Sequence, residues 1–258
     1  MRIGVFGAGG RMGAEVCRVV AADPDLELVA AIDPFCPGPK AVPDGVEIVP
    51  SADALEEARV EVAVDFTEVS AARENLAVCS RLGVHAVVGT TGFSDHDLAE
   101  LERLFPASGG VGCFIAPNFA IGAVLMMRFA ELAAPWFESA EIIELHHDNK
   151  VDAPSGTAVL TARKMAAASA EWTADPTRTT VVPGARGGEG PAGIHIHSVR
   201  LRGLVAHQEV LLGTAGQSLS IRHDSYDRTS FMPGVVMAMK AVPNHPGLTV
   251  GLDRLLGL

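Results

Sequence analysis

Aromatic side chains are scarce. Phe, Trp and Tyr make up 5% of the 258 residues, with two Trp and one Tyr. A core must therefore be assembled mostly from Val, Leu, Ile and Ala, and at 48% hydrophobic residues the chain has enough material for a sizeable one. Cysteine is equally sparse: Cys17, Cys36, Cys79 and Cys113 lie far apart and form no CxxC pair, so zinc-site spacing is absent and small buried thiols are expected. No basic run stands out against a net charge of −11, which argues against a nucleic-acid partner. No apolar stretch is long enough for a bilayer, and MRIGVFG begins directly with a strand-like segment, so a cytoplasmic protein with no membrane association is expected. No internal repeat is visible.

A chain of this length is comfortable for two domains. The first half alternates short apolar runs with amphipathic stretches. Strands are predicted over 2–7, 26–33, 60–67, 84–92 and 111–119, with helices over 11–22, 69–82 and 94–105. Near-continuous Val/Ile/Ala strands separated by helices predict an α/β domain with a parallel sheet covered on both faces. After Asn118 the rhythm changes. A helix over 121–134, a strand over 139–149 and a helix over 155–170 lead to a Pro/Gly-rich loop at 173–193. The runs IHIHSVRLRG, HQEVLLGT and SLSIRHDS follow without intervening helices, which suggests antiparallel pairing. The segment 229–242 is helical again, with Pro233 in its first turn.

The stretch GVFGAGGRMG follows the first strand and opens the first helix, with Gly7, Gly10 and Gly13 in G-x-x-G-x-x-G spacing. Residues without Cβ let backbone N–H groups approach a pyrophosphate at a positive helix end. The plain alternative is a tight turn. Two features favour a dinucleotide site over Gly7, Ala8, Gly9, Gly10, Arg11 and Met12: it is the first βα turn, and Asp33 ends the second strand about 20 residues on, where a carboxylate binds ribose hydroxyls. A carboxylate there repels a 2′-phosphate, Arg11 partly offsets it, and Pro34 adds no charge. The expectation is NADH, with NADPH tolerated. Gly89, Thr90 and Thr91 of GTTG, and Ala116, Pro117, Asn118 and Phe119 of APNF, each follow a strand of the same sheet. Ligands of open parallel sheets sit beyond those strand ends, so both turns are candidates for the nicotinamide half.

ELHHDNKVDAPSGTA, residues 144–158, gathers two histidines, a lysine and a new helix start. On a strand, His146 and His147 point to opposite faces, and the long side chain of Lys150 can return to the site of His146. Pro154 stops the strand, Ser155 is an N-cap candidate, and Gly156 and Thr157 bring N–H groups to a helix N-terminus. An acidic protein that binds an anion must concentrate positive charge locally, and this segment offers both cationic side chains and a helix end. A small dicarboxylate substrate beside a nicotinamide uses both. The bland alternative is surface histidines and a solvated lysine. A metal site is not expected, since lysine is a poor ligand and the histidines are adjacent. Ser155 does not stand in a nucleophile elbow, and a Schiff-base role for Lys150 stays open.

With GxxGxxG, VDFT, GTTG, APNFAIG and E-x-H-H-x-x-K-x-D-A-P-S-G-T-A in place, the chain resembles the 4-hydroxy-tetrahydrodipicolinate reductase family nearly end to end, most closely its actinobacterial branch. The resemblance implies reduction of a cyclic imine, with loss of water, to tetrahydrodipicolinate in lysine and diaminopimelate biosynthesis. It implies His146 and Lys150 as the catalytic pair, Lys150 being the proton donor and His146 assisting, with His147, Lys150, Gly156 and Thr157 on the carboxylates. It further implies a Rossmann-type domain over 1–118 and 229–258, an α+β substrate-binding and oligomerisation domain with a mostly antiparallel sheet over 119–228, and a homotetramer. Asp33-Pro34 departs from relatives that carry an acid followed by arginine, which leaves cofactor preference open. An ammonium facing a dicarboxylate stays charged and suits the acid role, whereas the histidine can take either state. Two rivals share the glycine loop: another two-domain NAD(P)-dependent dehydrogenase of amino-acid pathways, and a non-catalytic dinucleotide sensor that needs neither His146 nor Lys150.

Overall fold

The computed structural model describes residues 1–36 and 42–258. The chain falls into two compact units, Met1–Ala120 with Arg228–Leu258, and Ile121–Asp227.

In the first unit the chain runs β1 (Arg2–Phe6), α1 (Arg11–Ala22), β2 (Glu27–Ile32), β3 (Ile48–Val49), α2 (Ala54–Glu57), β4 (Val62–Asp65), α3 (Val69–Leu82), β5 (His85–Val88), α4 (Asp95–Leu104) and β6 (Gly112–Ile115). The second unit carries α5 (Ile121–Ala133), β7 (Ser139–His146), α6 (Gly156–Ala168), β8 (Gly188–Glu189), β9 (His195–Arg200), β10 (Ala206–Thr214) and β11 (Gln217–Ser225). The chain then returns to the first unit with α7 (Met232–Ala241), β12 (Gly247–Val250) and α8 (Asp253–Leu256).

The first sheet has the order β12-β6-β5-β4-β1-β2-β3 and is parallel at every pairing. Strand order reverses between β1 and β4, so their carboxyl ends open a crevice, the place where such sheets bind ligands. Burial of both faces explains the continuous apolar strands: Val62, Ala63 and Val64 of β4 are all buried. Helix α1 buries Gly13, Val16, Cys17 and Val20, a stripe at helical spacing. Helix α3 ends at Gly83, which takes the left-handed conformation at φ 71°. Phe6, Leu55, Leu76, Val88, Phe105 and Ile115 belong to one core cluster, each contributing about 1.5–3 kcal/mol on full burial. Cys17, Cys79 and Cys113 are buried free thiols, and burial pushes the first two up to about 12.

The second sheet has the order β11-β10-β7-β9-β8. β10 pairs antiparallel with both β11 and β7, and β8 antiparallel with β9. β9 departs from the expected antiparallel clustering, because it pairs with β7 in parallel. The connection from β7 to β9 passes through α6, and a helical crossover returns a strand in the same direction. Helices α5 and α6 pack on one face, where Ala130, Ile142, Ala158, Ala162, Met165, Ile196, Val210 and Leu212 form a single cluster. The short strands β3, β8 and β12 escaped sequence reading; GE and GLTV carry too little alternation to announce themselves. Pro233 does sit in the first turn of α7.

Candidate active site

The glycine turn is built around close backbone approach. Gly7 takes φ +72° and donates its N–H to Ile32 O at 2.8 Å, and Gly10 N donates back to Gly7 O at 2.9 Å. A Cβ on Gly13 would lie 2.0 Å from Gly7 O, so no other residue lets the first turn of α1 rest on the loop. Gly10 caps α1 without a side-chain hydrogen bond, and the first turn holds no acidic residue. The helix end thus presents its amides and positive dipole to an anion. Ala8 is buried, Gly9, Gly10 and Arg11 are exposed, and Met12 is half-buried.

Asp33 stands where β2 ends. It is 9% exposed, with Oδ2 accepting from Gly9 N at 3.1 Å and Oδ1 from Phe35 N at 3.0 Å. It lines a cavity of 430 Å³ together with Gly7, Gly10, Phe35, Thr67 and Asn75, at the carboxyl ends of β1, β2 and β4. Loop, helix end, carboxylate and cavity fit the adenosine half of a dinucleotide.

Asp65, at the end of β4, is a residue that sequence reading passed over within VDFT. It is buried, accepts from Thr67 N, Thr67 Oγ1 and Thr90 Oγ1 through Oδ1, and from Asn75 Nδ2 at 2.8 Å through Oδ2. The Thr90 hydroxyl is therefore turned inward, whereas Thr91 and Gly92 of that turn are exposed. Gly89 lies under the Phe66 ring, where a Cβ would fall 2.0 Å from Cε1. Phe66 packs on Phe119 at 6.0 Å between centroids, and Phe119 and Ala116 are buried. Pro117 is exposed and Asn118 half-buried, with Asn118 Oδ1 accepting from Ala120 N at 2.9 Å. GTTG and APNF thus share one aromatic floor beside the glycine loop.

The second unit gathers its own candidate residues around a carboxylate. Ile142, Glu144 and His146 share one face of β7, as strand alternation requires. Glu144 is fully buried. Its Oε2 accepts from His146 Nδ1 at 2.6 Å and Arg200 Nη1 at 2.9 Å, and its Oε1 from Arg200 Nη2 at 2.8 Å and Ser155 N at 3.1 Å. Burial pushes the Glu144 carboxyl up, but hydrogen bonds from His146, Arg200 and Ser198 outweigh it and hold it down at about 2. The strand ends at His146, well before Pro154, and His147 follows as an exposed residue of the turn.

Lys150 is gripped by both oxygens of Asp152, each at 2.8 Å, and the Asp152 carbonyl accepts from Arg200 Nη2 at 2.7 Å. The hydrogen bond from Lys150 is the main reason the Asp152 carboxyl lies below its usual range. Ser155 caps α6, its side chain accepting from Ala158 N at 3.2 Å, so Gly156 and Thr157 form the first turn. Hydrogen bonds link imidazole, ammonium and helix end into one network, and the residues that join them, Glu144, Asp152 and Arg200, were not singled out from sequence. The signal for Glu144 was available, since it lies two residues from His146 on a strand. Arg200, far along the chain, gave none.

Comparison with known proteins decides the class. Family models described as the N-terminus and C-terminus of dihydrodipicolinate reductase match residues 1–119 and 122–256. The chain belongs to the dihydrodipicolinate reductase family. The 4-hydroxy-tetrahydrodipicolinate reductases of Streptomyces coelicolor and Corynebacterium aurimucosum are each 49% identical over all of this chain, covering 98% and 99% of their own lengths. A dipicolinate-bound dihydrodipicolinate reductase from Paenisporosarcina sp. TG-14 superposes with a TM-score of 0.86 at 40% identity, covering 98% of both chains. As a dihydrodipicolinate reductase family member the chain is an NAD(P)H-dependent oxidoreductase of lysine and diaminopimelate biosynthesis, and the glycine turn belongs to its Rossmann-type unit. Among the described residues no helix is long and apolar enough to cross a membrane.

Proposed function

We infer that the substrate is 4-hydroxy-tetrahydrodipicolinate, reduced to tetrahydrodipicolinate with loss of water, and that Lys150 delivers the proton. The observation that carries this reading is the hydrogen-bonded linkage of His146, Lys150 and the amide end of α6 to one part-buried ion pair, Glu144–Arg200. Two carboxylates need two grips. Lys150 already chelates one carboxylate, that of Asp152, and the amides of Gly156 and Thr157 lie at a helix N-terminus suited to the other. His147 flanks the same turn. Bound NAD(P)H supplies a hydride. Lys150 stabilises the negative charge that then develops on the ring and hands it a proton, with His146 oriented to assist.

Gly7 to Met12 and Asp33 hold the adenosine and pyrophosphate half of the coenzyme, and Gly89 to Thr91 with Ala116 to Phe119 the nicotinamide half. NADH is preferred because the Asp33 carboxylate repels a 2′-phosphate, and NADPH is tolerated because exposed Arg11 offsets it. The working form is a cytoplasmic homotetramer, a reading supported by the exposed apolar side chains of Phe129, Leu132 and Trp136 in the second unit.

Lys150→Ala tests the assignment. We expect kcat to fall on the order of 10²- to 10⁴-fold, the usual worth of a positioned acid, while NADH binding stays within about twofold. Unchanged kcat would remove Lys150 from the chemistry.

A further inference from the structure

We propose that Glu144 and Arg200 are the positioning pair of the dicarboxylate site, one part-buried ion pair that sets the His146 ring, the Lys150 turn and the amide end of α6 together. The proposal rests on the reading of that segment as a dicarboxylate site and adds how the site is built.

A carboxylate with no exposed surface is expensive to leave without partners. Here the partners, Ser198 apart, are the groups read as gripping the substrate, or their supports. Arg200 faces His146 across the parallel pairing of β7 and β9, which places its guanidinium beside the end of β7. It meets Glu144 as a fork, Nη1 on one oxygen and Nη2 on the other, a geometry only arginine supplies. The same Nη2 donates to the Asp152 carbonyl, and Asp152 in turn holds Lys150. Ser155, the residue that caps α6, gives its own N–H to Glu144. His146 and the helix cap are thus one hydrogen bond from the pair, and Lys150 is tied to it through a single residue.

Two chemical consequences follow. An ionised carboxylate only accepts, so the Glu144 contact requires the His146 proton on Nδ1 and leaves Nε2 as the atom offered to a ligand. Arg200 also cancels the charge of Glu144, so a carboxylate needed to orient the histidine does not repel a dianionic substrate.

The test uses full-length enzyme labelled with ¹⁵N-histidine. A long-range ¹H–¹⁵N spectrum reads the His146 tautomer, with the signal assigned by its loss in His146→Asn. In the unaltered enzyme we expect the neutral ring to carry its proton on Nδ1. In Glu144→Gln we expect a mixture of tautomers and a fall in kcat on the order of 10- to 100-fold, the usual cost of losing a partner that orients a histidine, with NADH binding unchanged. Arg200→Lys keeps the charge but loses the fork. It should keep the Nδ1–H tautomer while raising KM and the Kd for dipicolinate about tenfold, because the Lys150 turn loses its anchor. A merely structural pair would lower stability without this division between kcat and KM.

A neutral ring that carries its proton on Nε2 and not on Nδ1 in the unaltered enzyme would overturn the proposal, and so would Glu144→Gln with an unaltered tautomer and kcat. Should Glu144→Gln fail to fold, the unaltered spectrum and Arg200→Lys decide the question. Turnover and dipicolinate binding by the unaltered enzyme test the dicarboxylate reading separately, so the two failures are distinguishable.

Discussion

Asp33 and Lys150 are each held by hydrogen bonds, and the difference between them is instructive. Asp33 receives backbone N–H groups from Gly9 and Phe35, so it is fixed as part of the loop itself. Lys150 is held by a side chain that is mostly exposed and can yield to a substrate carboxylate. Asp33→Ala should therefore weaken NADH more than NADPH, and also loosen the glycine turn. Titration of both coenzymes checks this, and equal losses would show that the carboxylate does not reach the ribose. At this scale the sequence was readable where chemistry is local. Gly7, Asp33, His146, Lys150 and Ser155 stand in short spacings whose purpose can be argued. Arg200 is 56 residues from Glu144, and Asp65 gathers partners from three segments, so neither contact was available to local reasoning.

Among elements, α1 and α6 play parallel roles, each starting at a turn that exposes helix amides. They are begun differently. α1 starts at Gly10, where absence of a side chain keeps the end open, and α6 starts at Ser155, whose hydroxyl accepts from Ala158 N and whose N–H goes to Glu144. Further along α6, the Thr161 hydroxyl donates to Thr157 O and accepts from Gln208 Nε2 of β10, which ties the helix to the sheet. Ser155→Ala removes the cap and should cost about 1 kcal/mol of stability, read as a lower urea midpoint. The N–H bond to Glu144 survives that change, so KM should rise only a few-fold. A variant as stable as the unaltered protein would show that the cap is dispensable. Helices were the most legible elements: 11–22 and 69–82 match α1 and α3 because their buried stripes recur at helical spacing. Strand direction was the least legible. Nothing in IHIHSVRLRG says that its partner is β7 in parallel, because that depends on the crossover through α6.

For the whole molecule, an α/β chain with a parallel sheet and a mixed, mostly antiparallel one was foreseeable from the change of rhythm after Asn118. The return of the chain to the first sheet through β12 was not visible in GLTV and came only with the family resemblance. The function proposed for this chain asks something different of each unit: a coenzyme is proposed on the first and a dicarboxylate on the second. The rival readings keep the first requirement and drop or alter the second. Freshly generated 4-hydroxy-tetrahydrodipicolinate, mixed with enzyme and NADH, separates them most directly through the loss of NADH absorbance. Rapid oxidation of NADH that depends on the imine and is inhibited by dipicolinate is expected. NADH binding without turnover, or turnover only with a different amino-acid precursor, would contradict it.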